Sequence, residues 1–284
     1  MSLPSPLILD SLLRDWLLED IGRGDRTTEC IFGEDLTVTQ AYWVIKETGV
    51  IAGLSIAERV FKLLDEKMEY NRLITEGEQI SVGTKIWEFA GKKSALLTGE
   101  RVALNLVMRL SGIATMTRKY VEAIADYPTK LVDTRKTTPG LRILEKYAST
   151  VGGAINHRMG LDDAVMIKDN HIQAVGSIKK AIDLIRLNMP YPLNIEVETT
   201  CLAEVEEAIA SGADIIMLDN MGVEAMSDAV KIIRNANPLI KIEASGNVTL
   251  ANIEKIASTG VDYISTSATI TRSPWLDISM RFAS

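Results

Sequence analysis

Cysteine is scarce: Cys30 and Cys201 are the only two in 284 residues. Far apart and in no CxxC or zinc-ligand spacing, they fit unpaired, buried thiols in a reducing compartment rather than a disulfide framework. An excess of positive charge is also lacking. The formal net charge is −7, which argues against a nucleic-acid partner, because binding a phosphate backbone needs a basic face. Long apolar runs are missing too. The most membrane-like stretch, Ser94 to Thr117, is broken by Glu100, Arg101 and Arg109, so it falls short of the roughly 18 uncharged residues that a spanning helix needs. The opening MSLPSPLILD has neither a basic n-region nor a long apolar h-region. Together these absences point to a cytoplasmic protein with no membrane partner.

The chain has ample apolar material, 46% of its residues, enough for either one α/β barrel or two domains. Its first hundred residues mix two periodicities, as a compact α+β unit does. An amphipathic helix is expected over Leu7–Glu19, followed by GRGDRTT, where Asp25 with Thr27 and Thr28 reads as a helix cap or turn. Leu36–Lys46 alternates like a strand. Glu76–Gly91, with Gly77, Gly83 and Gly91, reads as a hairpin of two short strands. A long helix is expected over Gly99–Asp126, with Leu104, Val107, Met108 and Leu110 as its apolar stripe.

From Lys130 the pattern changes. Short apolar runs (LVDTRK, AVMIKD, NIEVE, DIIMLD, IKIEASG, VDYISTS) alternate with helices over Ser177–Asn188, Leu202–Ser211, Glu224–Ala236 and Leu250–Ser258. That alternation signals βα units around a parallel sheet. Gly212 and Gly260 stand where helices stop. The strands are too few for a complete eightfold barrel, so an incomplete one is expected.

Each apolar run ends in residues that can bind or react, and in a β/α barrel those ends open onto one face. The set is Arg135 and Lys136, Lys168, Glu196 and Glu198, Asp219, Ser245 and Gly246, and Ser265 to Ser267, with His157 and Arg158 between the first two runs. Two like charges about 6 Å apart at an effective dielectric near 20 repel by roughly 3 kcal/mol. An empty cluster of four cations therefore favours a small polyanion, and arginine favours planar carboxylates or phosphates. The alternative is an ion-pair ring with Asp133, Asp169, Glu196, Glu198 and Asp219. Neighbouring strand residues face opposite sides, so at least one member of Arg135/Lys136 and of His157/Arg158 must lie beyond its strand. Glu198 and Asp219 offer hard oxygens suited to Mg²⁺. EASGN before a helix starting near Thr249 reads either as a phosphate site at a helix N-terminus or as an ordinary turn capped by Thr249. Met217 and Met221 read as packing residues, and His171 as a loop or core histidine.

These residues sit in an ordered series of longer motifs: EDIGRGDRTT, GVIAGL, GERVALN, RLSGIATMT, DTRKTTPGLRILEKYA, GGAINHRMGLDDAVMIKDNHI, IEVE, IIMLDNM and IEASG. The series spans nearly the whole chain and resembles the quinolinate phosphoribosyltransferase family. The resemblance implies an N-terminal α/β sandwich domain (1–112, with the tail 274–284 a candidate to rejoin it) and a C-terminal incomplete α/β barrel (113–273), a type II phosphoribosyltransferase-like fold. It implies a homodimer, with larger assemblies open, in which Arg101 reaches the partner's site. The implied activity joins quinolinate to phosphoribosyl pyrophosphate with loss of CO2, in NAD biosynthesis. Arg135, His157 and Arg158 would bind the substrate carboxylates, with Thr134 also in contact with substrate and Lys136 and Lys168 close to the reacting groups. Glu198 and Asp219 would hold ribose hydroxyls and Mg²⁺, and Ser245, Gly246, Asn247, Thr266, Ser267 and Ala268 the 5′-phosphate. Two positions depart from the family pattern, which usually has glycine where Asn247 and Ser267 stand.

Three rival readings remain. One is a Schiff-base lyase using Lys136 or Lys168, its amine freed by neighbouring cations. Another is a pyrophosphorylase-like relative of the same fold, linked to molybdate uptake and acting on another substrate. The third is a carrier module built on the Glu76–Gly91 hairpin, which lacks the lysine that such carriers present at the tip.

Overall fold

Proline in the first turn and a glycine just past the end delimit helix α1 (Pro6–Ile21), whose Leu9, Leu13 and Leu17 fall one turn apart and are buried. The computed structural model describes residues 3–33 and 35–283; the first two residues of the segment searched for an export signal lie outside them. Asp25 caps α2 (Arg26–Phe32), accepting the Thr28 N–H at 3.0 Å. Next come β1 (Val38–Ile45), β2 (Gly49–Val50), α3 (Leu54–Leu64), β3 (Glu69–Arg72), β4 (Gln79–Ile80) and β5 (Lys85–Lys92). Helix α4 (Lys93–Glu122) starts six residues before the expected Gly99. The second half runs β6 (Lys130–Val132), α5 (Arg142–Gly152), β7 (Val165–Ile167), α6 (Asp169–Val175), α7 (Ile178–Asn188), β8 (Ile195–Thr199) and α8 (Leu202–Ala210). It continues through β9 (Ile215–Asp219), α9 (Val223–Ala236), β10 (Lys241–Ser245), α10 (Ile253–Ala257), β11 (Tyr263–Ser265) and α11 (Ala268–Thr271) to β12 (Ile278–Phe282).

Two units result. The first comprises residues up to Arg118, Ile143–Gly152 and the chain from Ser273 onward; the second comprises Lys119–Arg142 and Gly153–Arg272. In the first, an antiparallel sheet ordered β12-β1-β5-β3 backs an aromatic core. Trp43 and Trp87 meet edge to face at 4.9 Å, with Phe61 and Phe89 against them. The hairpin expected over 76–91 does not form. Strand β4 pairs with β2, while β5 pairs with β1 and β3. Trp87 and Phe89 lie two apart on β5, and their burial against Trp43 fixes its register there. With the hairpin goes the carrier-module reading.

The first unit takes in two segments beyond Arg118, one of them the tail named above as a candidate to rejoin it. The tail returns as β12, antiparallel to β1. Helix α5 also joins the first unit, because Gly152 lets it press on α4: a Cβ there would stand 2.5 Å from Thr117 Cβ and 2.6 Å from the Ala114 carbonyl oxygen. Leu144, Ala148 and Val151 bury its apolar face.

The second unit is a parallel sheet ordered β6-β11-β10-β9-β8-β7. Successive strands are neighbours, and the last, β11, pairs with the first, β6. No ladder joins β6 to β7 among the described residues; Ile155 makes a single parallel bridge to Val132. This is the incomplete barrel. Gly212 and Gly260, just past α8 and α10, take left-handed angles of +78° and +89°. Cys30 and Cys201 are exposed rather than buried, and both are free. No described helix is long and apolar enough to cross a membrane.

Candidate active site

Strand residues two apart share a face. Glu198 on β8, Met217 and Asp219 on β9, Glu243 and Ser245 on β10 and Ser265 on β11 accordingly line one cavity of about 720 Å³, with Met166 and Lys168 from β7 and the residue beyond it. Loops supply the rest of the wall: Thr134, Arg135 and Lys136 after β6, then His157 and Arg158. Both cationic pairs lie off regular strand, so neither violates the alternation. A second cavity, about 230 Å³, shares Thr134, Lys136, Ser245, Gly246, Asn247 and Ser265 and adds Thr266, Ser267, Ala268 and Arg272. Every sequence-derived site residue except Arg101 and Glu196 lines one of the two; Glu196 is buried against His157. Arg101 is exposed on α4.

The expected surplus of positive charge is corrected by the acids in the wall. Lys168 is ion-paired with Glu198. His157 Nε2 lies 3.2 Å from Glu196 and 3.5 Å from Glu243, carboxylates of 4% exposure each. Arg135, Lys136, Arg158 and Lys168 thus share the cavity with Glu198, Asp219 and Glu243, and Glu196 lies buried against His157, so the ion-pair alternative is partly right at individual residues even though the set shares a cavity. Glu243 is a site residue that the sequence pattern did not single out. It lies inside an apolar run, but its place two residues before Ser245 was the available signal.

Burial holds Arg158 below the usual arginine range, and the nearby Arg135 guanidinium adds to the effect. Arg158 Nη1 donates to the Ala164 carbonyl at 2.9 Å. The Arg135 Nε donor is buried without a partner. Burial opposes a charge on His157, but hydrogen bonds to Glu196 and Glu243 outweigh it and push its pKa up to about 10. Burial also raises Glu196. Both shifts act in one direction, so His157 and Glu196 together retain a proton at neutral pH. His157 Nδ1 accepts the Arg158 backbone N–H at 2.7 Å, which puts the shared proton on the Nε2 side, between ring and carboxylates.

At the second cavity, Gly246 (φ +89°) and Asn247 (φ +50°) both adopt left-handed backbone. Asparagine tolerates this conformation better than most residues, so the turn survives without the family's glycine. Asn247 Nδ2 donates to Asn220 Oδ1 at 3.0 Å. The expected helix at Thr249 is corrected. Helix α10 begins only at Ile253 and spans five residues, and the Thr249 N–H is taken by Asn252 Oδ1 at 2.7 Å. The cradle is a turn rather than a helix N-terminus.

His171 is exposed and accepts the Lys168 backbone N–H at 2.9 Å, a capping role at the start of α6. The ammonium of Lys168 is engaged by a carboxylate rather than isolated among cations, which disfavours the Schiff-base reading at that lysine. Glu198 and Asp219, at the ends of adjacent strands and both on the large cavity, form an all-oxygen donor set of the kind Mg²⁺ accepts.

Residues 113–281 match the family model for the C-terminal domain of quinolinate phosphoribosyl transferase, and residues 25–111 that for its N-terminal domain. A protein of Synechocystis sp. described as a probable nicotinate-nucleotide pyrophosphorylase [carboxylating] is 66% identical over 279 residues, covering 98% of this chain and 94% of the relative. A Bacillus subtilis protein of the same description is 47% identical, covering 96% and 93%. Among solved structures, NadC from Streptococcus pyogenes superimposes with a TM-score of 0.94 at 41% identity, covering all of both chains.

Proposed function

The chain belongs to the quinolinate phosphoribosyltransferase family, and we propose that the 720 Å³ cavity is where it carries out the family's reaction. The reaction transfers phosphoribosyl from phosphoribosyl pyrophosphate to the nitrogen of quinolinate and releases pyrophosphate and CO2. Nicotinate mononucleotide, the product, feeds NAD biosynthesis. One observation carries the assignment: Arg135, Lys136, Arg158 and Lys168 share a wall with Glu198 and Asp219.

Arg135 and Arg158 receive the two carboxylates, matching planar anion to planar guanidinium. This orients the ring nitrogen toward the ribose carbon that loses pyrophosphate. Glu198 and Asp219 hold the ribose hydroxyls and would hold Mg²⁺, whose charge, when bound, offsets that of the departing pyrophosphate. Lys136 and Lys168 add fixed positive charge near the leaving and reacting groups, where electrostatic stabilisation is worth most. Ser245, Gly246, Asn247 and the Thr266–Ala268 turn surround the 5′-phosphate, and Ser267 adds a hydroxyl where the family usually has glycine. Once the nitrogen is alkylated, the cationic ring accepts the electrons left behind as CO2 departs. The purified chain, given quinolinate, phosphoribosyl pyrophosphate and Mg²⁺, will release CO2 and nicotinate mononucleotide in equal amounts. Turnover of nicotinate in place of quinolinate would overturn the two-carboxylate assignment and favour the reading as a relative with another substrate.

The exposed position of Arg101 supports a homodimer in which it completes the partner's cavity. Mixing Arg101→Ala and Arg135→Ala proteins, each impaired at low quinolinate, will restore activity there through hybrids that carry one intact site. No recovery after subunit exchange, or a monomer in sedimentation, would end this proposal. Two exposed free thiols fit a reducing cytoplasm, the proposed location.

A further inference from the structure

Beneath the arginines lies a cluster for which the reaction as described has no use. Glu196 on β8 and Glu243 on β10 are buried to 4% exposure, and each keeps one carboxylate oxygen, Oε1, without a partner. Burying such acceptors is costly, and an apolar pair could fill the space more cheaply. Their other oxygens converge on His157 Nε2, at 3.2 and 3.5 Å. The second ring nitrogen, Nδ1, is held by the Arg158 N–H at 2.7 Å. Asp133 secures the same segment from below, accepting the His157 N–H at 2.8 Å and Asn156 Nδ2 at 2.6 Å.

The ring thus has both nitrogens engaged by protein while it still lines the large cavity. The resemblance assigned His157 to the substrate carboxylates; the geometry adds that two buried acids hold its ring in the cavity wall. We propose that Glu196 and Glu243 are positioning residues that clamp His157 and, through it, hold Arg158 beside Arg135 as a receptor for the dicarboxylate assembled before the ligand arrives. Their charge also sits next to two guanidiniums that would otherwise repel each other across the empty cavity. The ligand then meets arginines already in place, and little ordering remains to oppose binding.

The inference rests on the assignment of the large cavity to quinolinate, and its test separates the two. Quinolinate and phosphoribosyl pyrophosphate KM values are measured for Glu243→Leu, Glu243→Gln, His157→Asn and the Glu243→Leu/His157→Asn pair. Glu243→Leu will raise the quinolinate KM about tenfold, the loss of one charge-assisted contact, with the sugar-phosphate KM within about twofold. Glu243→Gln, which keeps an acceptor and the side-chain volume, will recover most of the loss. Because the acids act through His157, the double variant will be no worse than the poorer single one. Multiplicative losses in the double variant, equal rises in both KM values, or unchanged KM in Glu243→Leu would each overturn the proposal. If Glu243→Leu fails to fold, Glu196→Leu, alone and combined with His157→Asn, reads the same coupling. Should the cavity assignment itself be wrong, Arg135→Ala would leave the quinolinate KM unchanged; should only the positioning role be wrong, Arg135→Ala would still raise it.

Discussion

Arg135→Ala will raise the quinolinate KM by roughly a hundredfold, while the KM for phosphoribosyl pyrophosphate changes by less than about tenfold. The magnitude follows from losing two charge-assisted hydrogen bonds of about 1.5 kcal/mol each, with about 1.4 kcal/mol per decade. The asymmetry follows from placement. Arg135 lines only the large cavity, and its Nε is a buried donor without a protein partner. A buried donor left unsatisfied is costly, and a carboxylate would relieve it. Arg135→Lys will recover only part of the loss, since an ammonium cannot reproduce the planar two-point fit. Initial-rate kinetics over both substrates decide the matter; equal rises in the two KM values would remove Arg135 from the carboxylate site.

The second large effect is expected at the other end of the site, from the addition of a single methyl group. Gly246 sits at φ +89°, and a Cβ there would stand 2.2 Å from Asn220 Oδ1, 2.5 Å from Asn220 Cγ and 2.9 Å from the Asn220 backbone nitrogen. Rotating the Asn220 side chain relieves only the first two contacts; the third is backbone. It also breaks the bond from Asn247 Nδ2 that ties the two left-handed asparagines together. Gly246→Ala will therefore cost about 1–3 kcal/mol in local strain and shift the turn. The KM for phosphoribosyl pyrophosphate will rise by about tenfold or more, and quinolinate binding measured alone by calorimetry will hardly move. Intact sugar-phosphate affinity in a folded Gly246→Ala protein would show that this turn is no phosphate cradle.

Much of the site was legible because strand-end position is a local property. The runs LVDTRK, AVMIKD, IEVE, IIMLD and IEASG each announce a strand together with the residues just past its end, and the spacing of two then tells which residues share a face. Glu243 escaped notice by sitting inside a run that reads as apolar, and only its burial against His157 gave it a part. Helix α10 was placed too early, because Thr249 looks like a cap while Asn252 takes its N–H. The hairpin failed for a different reason: two short strands adjacent in sequence were claimed by different partners, and a local pattern cannot name a partner.

The sequence by itself determined the order of βα units, the residues that end each strand and, through its series of motifs, the family. All of these are written in periodicities of two and 3.6 and in short contiguous segments, which tertiary context does not alter. Only the tertiary structure decided that β12 pairs with β1, that α5 leaves the barrel half for the other unit, and that the cations of the cavity are opposed by Glu198, Asp219 and Glu243. Those outcomes turn on contacts between residues tens of positions or more apart, such as Gly152 with Thr117 or His157 with Glu243, where fit and charge are settled by which surfaces can close on each other.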